Sequence, residues 1–266
     1  MTAAAIKNKR VHGFASRKTF VSVAVYIGLL LAWQLVTTRM EGVSRLRFPD
    51  PAAVLAAADQ IAFRGYAGGT LLEHVVETTM RVTLGFIIAA TCGVITGIAM
   101  GLQRRFDLFI NPVIQIFRPI PPLAWIPLAI LWFGIDNTSK VFVAWLAVFT
   151  PAIINTFAGV RGVDQTLVQA ARVHGASPAN IVISVVIPSA LPMIFTGLRL
   201  SLQVSWMAIV ASELVGSYTG LGHVMITAAR DLASPMIVVG MICVAILGLI
   251  STKLLVEIER RVIKWR

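Results

Sequence analysis

The chain has 266 residues, of which 57% are hydrophobic and 13% charged, with a mean hydropathy of +0.83. Soluble domains carry roughly 25% charged residues, so a soluble globular protein is excluded and an all-α membrane protein is expected. The formal net charge of +11 is, in such a chain, first a matter of topology rather than of nucleic acid.

In chain order, a basic segment (1–18) leads into an apolar run over about 19–38. Further runs of membrane-crossing character cover about 82–102, 141–160, 185–210 and 236–256, each meeting or approaching the roughly 20 residues that a bilayer core requires. A sixth, interrupted run covers about 108–134. With six spans and the N-terminus inside, most of the 23 Lys and Arg fall on the cytoplasmic side and most of the 12 Asp and Glu on the other. That asymmetry predicts an N-in, C-in topology. A cleaved signal peptide is the alternative for the first run, but the run is long and "VTTRMEG" offers no small-x-small cleavage site. Asp50 and Pro51 predict the start of a short outer helix, lying at the membrane interface and closed by Gly65. Residues 1–70 therefore read as a leading segment with one span, and 71–266 as the core domain.

The interrupted run contains "RPIPPLAWIPLAILWFG", Arg118 to Gly134. Pro119, Pro121 and Pro122 break it, and irregular backbone at membrane depth is tolerated only against protein or a water-filled cavity. Arg118 to Pro127, Trp125 among them, is therefore expected to bend inward and line a translocation path, which Arg118 and Arg199 make positive. The alternatives are a kink that only shapes packing and an arginine that pairs with a carbonyl or snorkels. Trp206 is a deep candidate for solute contact, whereas Trp125, Trp132 and Trp145 could contact solute but also fit an aromatic belt.

The segment Arg161 to Pro192 lies between two spans on the basic side. Asp164 caps a helix over 165–174 that Gly175 ends, and Ser177 with Pro178 starts a second helix expected to stop at Pro188. A helix-turn-helix for DNA is rejected, because "PANIVISVV" carries no Lys or Arg to reach phosphates.

Gln169, Ala170, Ala171, Gly175, Ile187 and Pro188 resemble, at matching spacing, the "EAA, three residues, G, nine residues, I-x-L-P" loop of binding-protein-dependent ABC importer permeases. Gln169 stands where that motif has glutamate, Val185 where it has isoleucine, and Ile187 where it has leucine. The resemblance runs from about Leu71 to the C-terminus and, in "GLRLSLQVSW" and "ELVGSYTGLGHVM", is nearest to permeases for taurine, alkanesulfonates and nitrate. It implies the type I importer fold in a bacterial inner membrane, amid membrane lipid. It also implies a coupling loop made of Gln169, Ala170, Ala171, Gly175, Ala176, Ser177, Pro178 and Pro188, which docks on separate cytoplasmic ATPase subunits. An extracytoplasmic solute-binding protein and a second permease copy complete the expected assembly. Glu213, Gly220 and Gly222 fall in the expected outer re-entrant loop, with capping of a span end as the other reading of Glu213.

No Gly-Lys pair occurs, so no P-loop is present and ATP must be bound by another chain. No cofactor is expected. His12, His74, His174 and His223 have no ligand at metal spacing, and the two cysteines, Cys92 and Cys243, lie in apolar runs. An enzyme is disfavoured because no nucleophile and base form a constellation. An ion-driven carrier is disfavoured because no internal repeat is found. Gly93, Gly97 and Gly101 form a ladder for close helix contact, within one subunit or across a dimer.

Overall fold

The computed structural model describes residues 21, 24–25, 27–37 and 48–265. Residues 1–18, the cation Arg39 and the ends of the first expected span lie outside them. Among the described residues every regular element is a helix. They are α1 (Ile27–Thr37), α2 (Pro51–Phe63), α3 (Leu71–Leu102), α4 (Arg104–Phe117), α5 (Ile126–Phe133), α6 (Asn137–Arg161), α7 (Gln165–Val173), α8 (Pro178–Ile181), α9 (Ile187–Val215), α10 (Leu221–Arg230) and α11 (Ser234–Val262).

Among the described residues, four elements are long and apolar enough to cross a membrane: α3, α6, α8–α9 taken together over Pro178–Val215, and α11. Each exceeds the corresponding apolar run, because capping residues rather than hydropathy set helix ends. Thr70 accepts from Glu73 N–H while Glu73 accepts from Thr70 N–H at 2.7 Å, a reciprocal box that starts α3 before its first strongly apolar stretch. Asp50 likewise accepts from Ala53 N–H at 2.7 Å and starts α2 at Pro51. Gly65, at φ +79°, follows its end. The interrupted run forms α4 and a second arm over Pro122–Phe133, bent from each other by 81°.

The centre is α6, held between α3 and α9. The glycine ladder is what lets α3 approach. A Cβ placed at Gly93 would lie 2.7 Å from Ala152 Cβ, one at Gly97 2.7 Å from Thr156 Cβ, and one at Gly101 2.5 Å from a Val160 methyl. The ladder is thus satisfied within one subunit, and it extends upward to Gly85 against Ala144. On the other face of α6, Gly159 meets Ala190 and Met193, and Gly197 meets Pro151 and Asn155. Small residues at four-residue spacing on each helix bring the backbones close enough for dispersion and for bonds such as Ser201 Oγ to the Val148 carbonyl at 3.0 Å.

One expectation is corrected. The helix that starts at Pro178 does not stop at Pro188. It passes through a π-turn at Val182–Val186 into α9, with Ile187 N–H donating to the Val182 carbonyl five residues back. The widened turn accommodates the N–H that Pro188 lacks, so the chain continues as a helix where the sequence predicted an end.

Candidate functional site: a capped loop, a broken-span cavity and a buried latch

Three local structures follow from this frame. The first is the loop after α6. Asp164 accepts from Thr166 N–H at 2.8 Å, which starts α7 and holds the Asp164 carboxyl below its ordinary range. Gly175 closes α7 at φ +76°. Its N–H donates to Arg172 C=O at 2.9 Å, and Ala176 N–H donates to Ala171 C=O at 3.1 Å. These are the paired bonds of a Schellman end, and they need a left-handed residue at that position. Ser177 accepts from Asn180 N–H at 3.3 Å, with Pro178 as the first residue of α8. Gln169 and Ala170 are exposed, whereas Ala171 and Ala176 pack against the cluster of Val163, Val168 and Ile181. The loop is therefore anchored on one side and open on the other, where Leu167 and Val173 present apolar surface, Val173 at 86% exposure.

The second is a cavity of about 360 Å³ at the broken span. Its walls include Phe117, Arg118, Pro122 and Trp125 from the break and Ala147, Thr150, Pro151 and Asn155 from α6. Pro119 and Pro121 belong to the bend but not to these walls. Arg118 is the sole formally charged residue among the walls. Two expected companions lie elsewhere. Arg199 faces α11, 3.5 Å from the Glu259 carboxylate. Trp206 is a core residue, 6% exposed, whose Nε1–H donates to Ser251 at 3.0 Å. Trp132 and Trp145 join Phe133, Phe142 and Phe149 in an aromatic row on α5 and α6.

The third is a buried polar latch between α3 and the loop after α9. Glu213 is fully buried. Its carboxylate accepts from Arg81 Nη1 at 2.7 Å, from Thr78 Oγ1 at 3.0 Å and from Gly222 N–H at 2.9 Å. Arg81 further donates to Asn137 Oδ1 at 2.7 Å, to Glu77 Oε2 at 2.9 Å, and to the Thr219 carbonyl and hydroxyl at 2.8 Å each. Thr78 accepts from Leu221 N–H at 2.8 Å. His74 accepts from Gly220 N–H at 3.0 Å through Nδ1, which leaves Nε2 to donate to the Tyr66 carbonyl at 2.9 Å. Gly220, at φ +114°, and Gly222 leave no room for a Cβ beside Glu213. Glu213, Gly220 and Gly222 stand out in the sequence as an outer loop, whereas the roles of His74, Thr78 and Arg81 as its partners do not. The available signal was a set of polar residues spaced three and four apart (His74, Thr78, Arg81) at the head of an apolar helix. Nearby, Tyr66 donates to Asp231 at 2.5 Å, and burial together with that carboxylate pushes the phenol up.

A helical bundle with a broken span beside a cavity, and a loop anchored on one side and open on the other, has the parts that a membrane transport subunit needs. Residues 89–264 match the family of binding-protein-dependent transport system inner membrane components, and the chain belongs to that family. It is a multi-pass membrane permease subunit of an ABC importer, not an enzyme. Among its relatives, the taurine transport system permease protein TauC of Escherichia coli (strain K12) is 37% identical over 94% of this chain and 91% of its own length. The bicarbonate transport system permease protein CmpB of Synechococcus elongatus is 32% identical over 91% of this chain and 88% of its own. The fold is similar to that of a chain from the MetNI methionine ABC transporter, whose structure was solved in inward-facing conformations, at a TM-score of 0.64 and 20% identity over 72% of this chain and 95% of the other.

Proposed function

We propose that this permease carries a small anionic or zwitterionic solute, taurine or a related sulfonate, through the broken-span cavity with Arg118 as its electrostatic guide. The observation that carries this reading is the cavity itself: one guanidinium and no carboxylate among walls that are otherwise neutral. A planar fork of donors suits the oxygens of a sulfonate, and a cation facing a cavity at membrane depth fits a solute pathway. The likeness to a taurine permease and to aliphatic sulfonate permeases supports the same choice. A small inorganic anion is the second reading, favoured by the likeness to a bicarbonate permease.

The core domain over 71–266 works in an N-in, C-in orientation. Gln169 to Pro178 docks on a cytoplasmic ATPase, an outer solute-binding protein delivers the solute, and two permease copies form the pathway. The exposed apolar side chains of α7 support the docking role. Uptake of labelled taurine by the reconstituted importer tests the whole reading. Replacing Arg118→Gln is expected to lower the maximal rate at least tenfold while leaving binding to the outer protein unchanged. Unaltered uptake would remove Arg118 from the path.

A further inference from the structure

The helix α4 carries a polar stripe along its whole length. At about 100° per residue, Arg104, Asp107, Asn111, Gln115 and Arg118 fall within an arc of about 80°, with Leu108 at its edge. Arg118 keeps helical backbone angles and so continues the stripe. Asn111 and Gln115 are one turn apart, and Gln115 Nε2 donates to Asn111 Oδ1 at 3.1 Å. The opposite face is apolar and open, with Phe109 74% and Ile116 70% exposed.

A two-sided helix of this kind also suits a membrane surface, but the contacts of α4 make it climb. Near its start, the Asp107 carboxylate accepts from Arg161, the last residue of α6, at 2.8 Å. At its far end, Phe117 and Arg118 share the cavity with Leu146, Thr150 and Ile154, which stand about two to four turns before Arg161 on α6. From Asp107 to Arg118 the helix thus rises about 16 Å beside α6. It does so without packing on it: among the described residues α4 lies closely on α3 alone, and none of its side chains is buried. Asp107 and Arg118 both turn toward α6, so Asn111 and Gln115, between them on the same stripe, face the space between the two helices. An amide in hydrocarbon without partners is costly, and an arginine costs more, so this stripe faces water rather than lipid. Asp107 is paired with Arg161, and the other two charges of the stripe, Arg104 and Arg118, are both positive.

We propose that Asn111 and Gln115 line a second limb of the translocation path, along which an anionic solute passes between the Arg118 cavity and the end of the bundle where α7 lies, with the Asp107–Arg161 pair at its mouth. The inference rests on the permease reading above and extends its path beyond the cavity. Amides suit such a limb, because they exchange hydrogen bonds with water and with a solute while carrying no charge, and a conducting path needs binding weak enough for release.

Cysteine labelling of the purified permease–ATPase complex in lipid nanodiscs tests this. In a background with Cys92 and Cys243 replaced by alanine, Asn111→Cys and Gln115→Cys are compared with Val113→Cys on the apolar face. The probe is 2-sulfonatoethyl methanethiosulfonate, itself an anionic sulfonate. Because the thiolate is the reacting form and needs water, positions 111 and 115 are expected to label about tenfold faster than position 113. Adding Arg118→Gln is expected to slow the anionic probe at position 115 severalfold and not to slow its cationic trimethylammonium counterpart, since the limb then loses positive potential. In the intact importer, Asn111→Leu with Gln115→Leu is expected to lower the maximal rate of labelled taurine uptake about tenfold, with binding to the outer protein unchanged. Labelling at 111 and 115 as slow as at 113, or undiminished uptake by the double variant, would overturn the proposal. The two levels separate: if the wild-type importer does not take up taurine while labelling follows the expected pattern, the sulfonate reading fails and the limb stands, whereas taurine uptake with uniformly slow labelling removes only this inference.

Discussion

At the scale of single residues, the guanidinium of Arg81 has no donor left over. Its five N–H groups meet Asn137, Glu77, Glu213 and both polar groups of Thr219, which is the full complement of an arginine. A cation so committed cannot also bind a solute, and this separates Arg81 from Arg118, whose cavity is open. Replacing Arg81→Gln leaves Glu213 buried with its charge uncompensated. The expected cost is about 3–5 kcal/mol, read as a lower thermal midpoint of the purified complex, and removing both charges by Arg81→Met with Glu213→Leu should recover part of it. The pair was not legible in the sequence, because its members stand 132 positions apart and Arg81 reads as an ordinary cation at a span mouth. Glu213 was legible as an acid within an apolar run, although its partner was not.

At the scale of elements, caps and glycines were legible and continuity was not. Asp50, Asp164, Ser177 and Gly175 each do what their chemistry predicts, since a cap depends on neighbours three or four residues away. Pro188 misleads, because a proline read alone breaks a helix, while a π-turn before it lets the helix run on. The glycine ladder had a legible purpose and an illegible partner: only the packed structure shows α6 receiving it. Gly175 gives the sharpest element-level test. A Cβ there meets nothing within 4 Å, so Gly175→Val is penalised through the backbone alone, because an L-residue resists φ +76°. The variant is expected to insert and fold normally, yet to lose solute-stimulated ATP hydrolysis or to release the ATPase on purification. Intact, fully stimulated complexes would count against α7 as the docking lever.

At the scale of the molecule, the bundle's class was legible from composition, and the α4–α5 break from its prolines. The second wall of the cavity was not, since it requires knowing that α6 lies beside the break. Similarly, Arg199 and Trp206 share the apolar helix on which they were noticed, but they face α11 rather than the cavity. Sequence periodicity identifies a side chain's helix more readily than its neighbour.

The unbroken run from Pro178 to Val215 spans 38 residues, or about 57 Å of helix, against about 30 Å of hydrocarbon. A single tiller thus reaches from the loop after α7 to the latch, with one widened turn at Val182–Val186. Spin labels at Met193 and Val215, in a background lacking Cys92 and Cys243, should keep a fixed separation through the ATP cycle, while a label at Ala179 swings relative to both. Flexing between Met193 and Val215 instead would mean that the motion dies out along α9 and never reaches the Glu213 latch.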